Sequence, residues 1–244
     1  MRAIWKREVQ GYFFTPIGYV CMGMFLLAGG FFFWYYSIVN GVANMNYTFN
    51  SLMMFLALII AILTMRLLSE DRRAKTDQLI LTSPVSIWGV VIGKFLAACT
   101  VLFFSLAVTM FYLLIIGTYT SSMYPPHWGV IFSSYIGFLL LGCCYAAIGV
   151  LMSSLTESQV SAAVLTFFTI IILQILESFA PSLVVPSYLM FIPRALSWIS
   201  LNSRYTVFSA GIFSIANVLY YLSFCGIFLF IATRVIDRRR WSEG

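Results

Sequence analysis

The fold of this chain is decided by one polar stretch, residues 66–85, which reads RLLSEDRRAKTDQLILTSPV within a sequence that is otherwise mostly apolar. Seven residues of this stretch, from Arg66 to Asp77, carry a charge. Each of these charges would cost several kcal/mol in hydrocarbon, so we expect the stretch to form a loop in water. Its basic residues favour the cytoplasmic side of the membrane.

The residues alone leave two interpretations of this loop open. Ser69 is placed to cap a short helix whose first turn holds Glu70 and Asp71, and such a helix across the ends of two spans would be a dock for a partner. An ordinary solvated loop between two spans fits the residues equally well. After the loop, residues 84–93 are expected to form a second short helix.

The composition predicts an all-α polytopic membrane protein. Hydrophobic residues make up 61% of the chain and charged residues 9%, against about 25% charged residues in soluble chains. A span needs roughly 20 mostly apolar residues. The sequence supplies six such runs in a single domain over residues 1–244, which leaves no room for a soluble ATPase domain. The expected spans are approximately 17–39, 49–68, 94–117, 129–152, 159–179 and 215–236.

The placement of the basic residues predicts the topology. The net charge is +6, but the basic residues lie at the ends of the spans, which argues for membrane orientation rather than for nucleic acid. Twelve of the fourteen basic residues fall on one side, and only Arg194 and Arg204 fall opposite. The positive-inside rule then predicts a multi-pass protein of the cytoplasmic (inner) membrane with both termini cytoplasmic.

Two segments do not read as spans. Residues 1–15 form an amphipathic pattern that predicts an interfacial helix, with Trp5 and Tyr12 at headgroup level; a frayed terminus is the alternative. The apolar run that follows is of span length, so no cleavable signal peptide is expected. Residues 181–214 carry three prolines and mixed polarity, which favours a re-entrant or outer pair of helices between spans 5 and 6.

The sequence gives little support for enzymatic chemistry. The five cysteines lie in apolar runs without the spacing of zinc ligands, and His127 is the only histidine. Gly93-Lys94 is followed by Phe95, so a Walker A pattern is absent. No nucleophile with a base appears at membrane depth. We expect no catalytic, cofactor or metal site in this chain.

Four further residues are candidates for function. Glu157 lies in the predicted second cytoplasmic loop, where residues 154–157 resemble a capping box in front of span 5. Glu177 is a carboxylate near the outer end of span 5, and an acid at membrane depth is a functional candidate by default. With Arg194 and Arg204 it is a candidate for an outer gate. The alternative is that Glu177 reaches water or pairs with one of these arginines.

The central loop resembles a known family. The runs Glu70-Asp71-Arg72-Arg73, Thr76-Asp77-Gln78-Leu79 and Leu81-Thr82-Ser83-Pro84-Val85, and later Gly93-Lys94, are similar to the first cytoplasmic loop of ABC-2-type transporter permeases. The order of elements most resembles the branch of the gliding-motility permease subunit. The resemblance implies a coupling helix on an ATPase subunit, with contacts made by Glu70, Asp71, Arg72, Arg73, Lys75 and Asp77.

The resemblance also implies the function and the partners. The chain would be the permease subunit of an ATP-driven exporter, with two permease chains (identical or related) above two ATPase subunits that bind ATP and Mg. The path would run between the permeases. A non-transport scaffold or mechanotransmission subunit is the alternative, and a secondary transporter is a weaker one.

Overall fold

The computed structural model describes residues 2–41, 44–74, 86–119, 127–179 and 200–242, and these residues form helices and connecting turns without strands. The helices, in chain order, are α1 (Arg2–Phe14), α2 (Pro16–Phe33, extended by a π-helical segment Trp34–Val39), α3 (Asn46–Thr64), α4 (Arg66–Arg73), α5 (Ile87–Thr109), α6 (Phe111–Tyr119), α7 (Trp128–Leu155), α8 (Gln159–Phe179), α9 (Asn202–Ser209) and α10 (Ile215–Ser242).

Among the described residues, six helical stretches are long and apolar enough to cross a membrane, which confirms the predicted all-α, six-span fold. They are Pro16–Val39, Asn46–Arg73, Ile87–Thr118, Trp128–Leu155, Gln159–Ser178 and Ile215–Arg238. The third begins earlier than predicted. Ser86 caps α5 by accepting a hydrogen bond from the Gly89 amide at 3.1 Å, and the helix then runs unbroken past Gly93 and Lys94. The separate short helix expected over residues 84–93 is therefore wrong, although residues 84 and 85 lie outside the described part of the chain.

The centre of the bundle is α7, which packs against α3, α5, α8, α9 and α10. Glycines on α7 let its neighbours come close. A Cβ atom at Gly149 would lie 2.1 Å from Thr64 Oγ1 on α3, and one at Gly142 would lie 2.3 Å from Leu102 Cδ2 on α5. The glycines of α7 thus form a packing surface.

The two ends of the bundle differ in composition. We call the end that carries α1, α4 and the start of α5 the charged end. We call the opposite end, where α9 lies, the far end. There, the Asn46 side chain at the start of α3 donates to the Ser209 carbonyl at the end of α9, and Gly211, with φ +84°, lies against Val130 at the start of α7.

Helix α1 packs on the bundle rather than extending from it. The Tyr12 hydroxyl donates to the Leu63 carbonyl at 2.6 Å, and the Trp5 indole donates to Thr100 Oγ1 at 3.0 Å. Tyr12 is only 2% exposed, so it packs within the protein, and its position at headgroup level stays a prediction. The interfacial position of α1 stays a prediction.

Candidate functional site

One face of helix α4 packs against the bundle, and the opposite face is exposed. It continues α3 through Met65, which keeps a helical conformation. Leu67, Leu68 and Ser69 are buried, whereas Glu70 and Arg73 are exposed. The predicted cap at Ser69 is wrong, because this residue lies inside α4 and its hydroxyl donates to the Met65 carbonyl. Apolar residues and one small serine therefore hold the helix, and its charges are left for the outer face.

The Ser153 side chain of α7 forms hydrogen bonds with the backbone on the inner face of α4. Its hydroxyl oxygen accepts from the backbone N–H groups of Leu68 at 3.0 Å and Ser69 at 3.1 Å, and the hydroxyl donates to the Met65 carbonyl at 3.2 Å. All of these groups are buried or nearly so. A buried polar group left without a partner costs about 1–3 kcal/mol, so this single side chain fixes the junction of α3 and α4 to α7.

Lys94 joins three helices at the charged end. Its side chain is 2% exposed, and its ammonium lies 2.8 Å from Asp71 Oδ2 on α4 and 3.1 Å from Glu8 Oε1 on α1. It also donates to the Leu67 carbonyl. A buried charge is tolerated when it is paired and hydrogen-bonded, as it is here. Asp71 therefore points toward the bundle, whereas the resemblance had implied a contact with a partner.

Glu8 completes this cluster from α1. Burial alone raises the pKa of a carboxyl group, but the Lys94 ammonium and the Arg7 guanidinium, at 2.9 Å from Glu8 Oε1, outweigh it and hold the pKa of Glu8 below its usual value. Glu8 thus stays ionised at neutral pH. Lys94 is therefore paired both with Glu8, which precedes the first span, and with Asp71 in α4.

Two arginines tie α4 to its surroundings. Arg66 Nε lies 3.3 Å from Glu70 Oε2, and the Arg66 guanidinium also lies over the Tyr12 ring at 5.5 Å. Arg72 reaches Glu157 at 2.6 Å, which links α4 to the turn between α7 and α8. Arg73 is exposed. Lys75 and Asp77, also predicted to take part in coupling, lie outside the described residues.

Glu157 does not form the predicted capping box. Helix α7 ends at Leu155, and α8 begins at Gln159. The Ser158 hydroxyl accepts from the Ser161 amide at 3.5 Å, so Ser158 occupies the capping position. The Glu157 carboxylate is free to reach Arg72 instead. The two loops predicted to be cytoplasmic are thereby joined by an ion pair.

At the far end, Glu177 caps a helix. Its carboxylate accepts from the Asn202 amide at 3.1 Å and from the Ser203 amide and the Ser200 hydroxyl, at the N-terminus of α9. Negative charge is stabilised at this end of a helix. A cavity of about 90 Å³ adjoins it, lined by Tyr145, Leu173, Gln174, Leu176, Glu177, Ser200 and Leu201.

Arg204 does not pair with Glu177 in the part of the chain that the structure describes. Its guanidinium donates to Asn217 Oδ1 at 3.0 Å and lies 4.4 Å from the centre of the Tyr220 ring. The alternative in which Glu177 pairs with Arg204 is therefore wrong, because the amides of α9 satisfy the carboxylate. Arg194 lies outside the described residues, so a gate that includes it stays a prediction.

A family model settles what kind of protein this architecture belongs to. The model described as ABC-2 family transporter protein matches residues 14–240. The chain belongs to the ABC-2 transporter family. This permease is a multi-pass transmembrane component of a transport system and is not itself the catalytic component. No curated protein matches the chain.

At the charged end of this ABC-2 permease, two residues make contacts between helices that the sequence did not predict, Lys94 and Ser153. Lys94 was interpreted as part of the family motif and as a basic residue beside a loop, although a lone charge within an apolar run is itself a signal. Glu8 offered a matching signal, as the only acid before residue 70. Ser153 carried none, because it lies in a helix that contains many small residues. Among the described residues, no group of three or more His, Cys, Asp and Glu side chains is arranged to hold a metal ion.

Proposed function

We propose that this permease is the transmembrane subunit of an ATP-driven exporter and that a separate ATPase subunit docks on the outer face of α4. The single observation that carries the proposal is the division of α4 into an inner face fixed to the bundle and an outer face with Glu70 and Arg73 exposed. A helix built in this way can receive a push from outside the membrane and pass it on.

The contacts of α4 supply the route for that push. The helix continues α3 directly, Ser153 and Arg72 connect it to α7 and to the turn after α7, and Asp71 connects it through Lys94 to α5 and α1. A displacement of α4 would therefore reach most of the charged end at once. Ionic and hydrogen-bonded contacts between packed helices transmit small shifts because they have few intermediate arrangements.

The remaining parts of the proposal follow the family. ATP and Mg would bind to the ATPase subunit, a second permease chain (an identical copy or a related one) would complete the membrane unit, and the charged end would face the cytoplasm. Family members normally work with an ATPase subunit in a membrane. Assignment to the branch of the gliding-motility permease subunit belongs to the same proposal.

Charge reversal on the outer face tests this function. The variant Glu70→Lys/Arg73→Glu exchanges two exposed charges, and charges at the rim of an interface set partner choice and register. We expect the tagged variant, purified from its native membranes, to lose ATPase subunit and ATP turnover while inserting normally. The matched control is Arg234→Glu/Asp237→Lys on α10, which reverses an ion pair between an exposed arginine and a half-buried aspartate. Equal retention of ATPase by both variants would contradict the proposal.

A further inference from the structure

Arg204 is a cation without a carboxylate partner among the described residues. The sequence also offers it few candidates. Between Glu157 and Asp237 the chain contains one acidic residue, Glu177, and the segments that connect spans at the far end, residues 40–45 and 119–127, contain none. Glu177 is occupied by the N-terminus of α9. An arginine near hydrocarbon that lacks an acid in its own chain requires an anion from elsewhere or water.

The guanidinium is held in a fixed orientation. Asn217, which is 6% exposed, accepts one of its N–H groups at 3.0 Å, and the Tyr220 ring lies 4.4 Å from Arg204 Cζ. A guanidinium has five N–H donors in a planar fork that matches the oxygens of a phosphate. The neutral partners orient this fork without neutralising it.

The depth of Arg204 fits a lipid phosphate. Its two partners lie in the first turns of α10, which begins at Ile215 at the far end. At about 1.5 Å per residue, Tyr220 lies roughly 8 Å below the start of that helix. The spanning part of α10, Ile215–Arg238, has 24 residues, or roughly 36 Å, which exceeds a hydrocarbon core of roughly 30 Å. Arg204 therefore lies near the boundary between headgroups and hydrocarbon.

A row of aromatic rings continues from Arg204 along α10. Tyr220 and Phe224 have ring centres 6.4 Å apart, and Phe224 stacks on Phe228 at 4.5 Å. All three rings are half-buried, so each keeps one side open to the surroundings of the bundle. Their spacing of four residues places them on one face of the helix, directed away from the far end. This row is long and apolar enough to lie beside an acyl chain.

We propose that Arg204, Asn217 and Tyr220 form a binding site for a phosphate-bearing lipid with net negative charge. The guanidinium binds the phosphate, and the acyl chain lies along Tyr220, Phe224 and Phe228. A lipid headgroup and free phosphate would both supply the anion that the guanidinium binds. The row of aromatic rings, which fits an acyl chain, assigns the site to the lipid. This proposal goes beyond the exporter function and does not depend on an ATPase.

Lipid titration of the purified full chain, followed by native mass spectrometry, tests the site. We expect dioleoyl phosphatidylglycerol to bind more tightly than dioleoyl phosphatidylcholine, and Arg204→Gln to weaken phosphatidylglycerol binding about tenfold, as expected when a charge-assisted hydrogen bond is lost. Arg234→Gln is the matched control, because Arg234 also lies over a ring, Phe230 at 5.0 Å, but near the other end of α10. It should bind phosphatidylglycerol like the wild type.

The other outcomes decide against the proposal. Equal phosphatidylglycerol affinity in the wild type and Arg204→Gln would overturn it, and so would equal losses in Arg204→Gln and Arg234→Gln. Displacement of phosphatidylglycerol by inorganic phosphate at 1:1 would assign the anion to free phosphate and overturn the lipid assignment. If Arg204→Gln does not fold, Tyr220→Leu replaces it, since it keeps the charge and removes the ring. Wild-type affinity in Tyr220→Leu would then overturn the proposal.

Discussion

The charged end and the far end of this permease differ in how their ionised side chains are paired. At the charged end, Lys94 is neutralised by Asp71 and Glu8 from two other helices. At the far end, Glu177 is satisfied by the amides of α9, and Arg204 by an asparagine and a tyrosine ring. The first arrangement is an ionic joint closed within the chain, which suits the transmission of movement. The second leaves a positive charge open to an external anion.

The largest effect is expected from a variant that disrupts the buried cluster of Lys94, Asp71 and Glu8. Lys94→Met would leave the carboxylates of Glu8 and Asp71 close together and without their shared cation, and removing one member of a buried pair costs about 3 kcal/mol or more. We expect a strong loss of thermal stability in detergent, measured by fluorescence-detected size-exclusion chromatography after heating.

Lys6→Met is the control for this change, because Lys6 is exposed on α1. It should unfold like the wild type. If Lys94→Met were as stable as Lys6→Met, the charged end would not be held together by the cluster, and the contrast between the two ends would fail.

Glycine substitutions compare packing at the two ends. An alanine Cβ at Gly149 would lie 2.1 Å from Thr64 Oγ1 near the charged end, and one at Gly137 would lie 2.6 Å from Phe208 Cβ near the far end. Overpacking of this kind costs about 1–3 kcal/mol. Both alanine variants should therefore lower the unfolding temperature, as the same heating assay would record.

Gly226→Ala is the matched control on α10, since nothing lies within 4 Å of the added Cβ. Alanine favours helix over glycine, so this variant should be as stable as the wild type or more so. If Gly137→Ala had the unfolding temperature of the wild type, α9 would not be tightly packed on α7 at the far end.

The pH dependence of stability sharpens the comparison further. The pKa of Glu8 lies below its usual value in the folded protein. Its contribution to stability is therefore fully present above the ordinary carboxyl pKa of about 4.3 and is lost as pH falls through the lower folded pKa. Below about pH 4, Glu8→Gln should lose less stability than the wild type. Arg204→Gln should keep the wild-type profile, and identical profiles for all three proteins would contradict the role of Glu8.

The smallest expected effect concerns the ion pair between Arg72 and Glu157. Its atoms lie 2.6 Å apart, but the Glu157 side chain is 73% exposed. Exposed pairs contribute about 0–1 kcal/mol, so Glu157→Gln should leave thermal stability nearly unchanged. A reduction of ATP turnover in the assembled complex, without loss of stability, would show that this pair guides the motion of α4. A large loss of stability would show instead that this ion pair stabilises the fold as the buried cluster of Lys94, Asp71 and Glu8 does.

The sequence was sufficient for the spans and insufficient for the contacts between them. Hydropathy alone identified six membrane helices, because each needs a long apolar run whatever its neighbours are. The start of α5 was missed because Lys94 suggested the edge of a loop, whereas carboxylates from α1 and α4 allow it to lie inside a span. Glu8 is 86 positions from Lys94 in the sequence, and no local pattern connects residues so far apart.

The partners of single polar residues were equally hidden. Glu177 was recognised as unusual from its place in an apolar run, but its partners are backbone amides, which every residue except proline carries. Ser153 contacts the backbone of α4 for the same kind of reason, and its sequence neighbours gave no sign of this. The family resemblance implied that Glu70 and Asp71 act alike in coupling, and it did not distinguish Asp71, which faces Lys94, from the exposed Glu70.

The central claim is that the outer face of α4 contacts an ATPase subunit, and site-specific photocrosslinking in native membranes tests it most directly. A photoreactive residue in place of Arg73 should crosslink to a protein that binds ATP. The same residue in place of Tyr47, which is 55% exposed at the far end, should not. A complex that hydrolyses ATP but yields no crosslink from position 73 or 70, or yields it equally from position 47, would contradict the account.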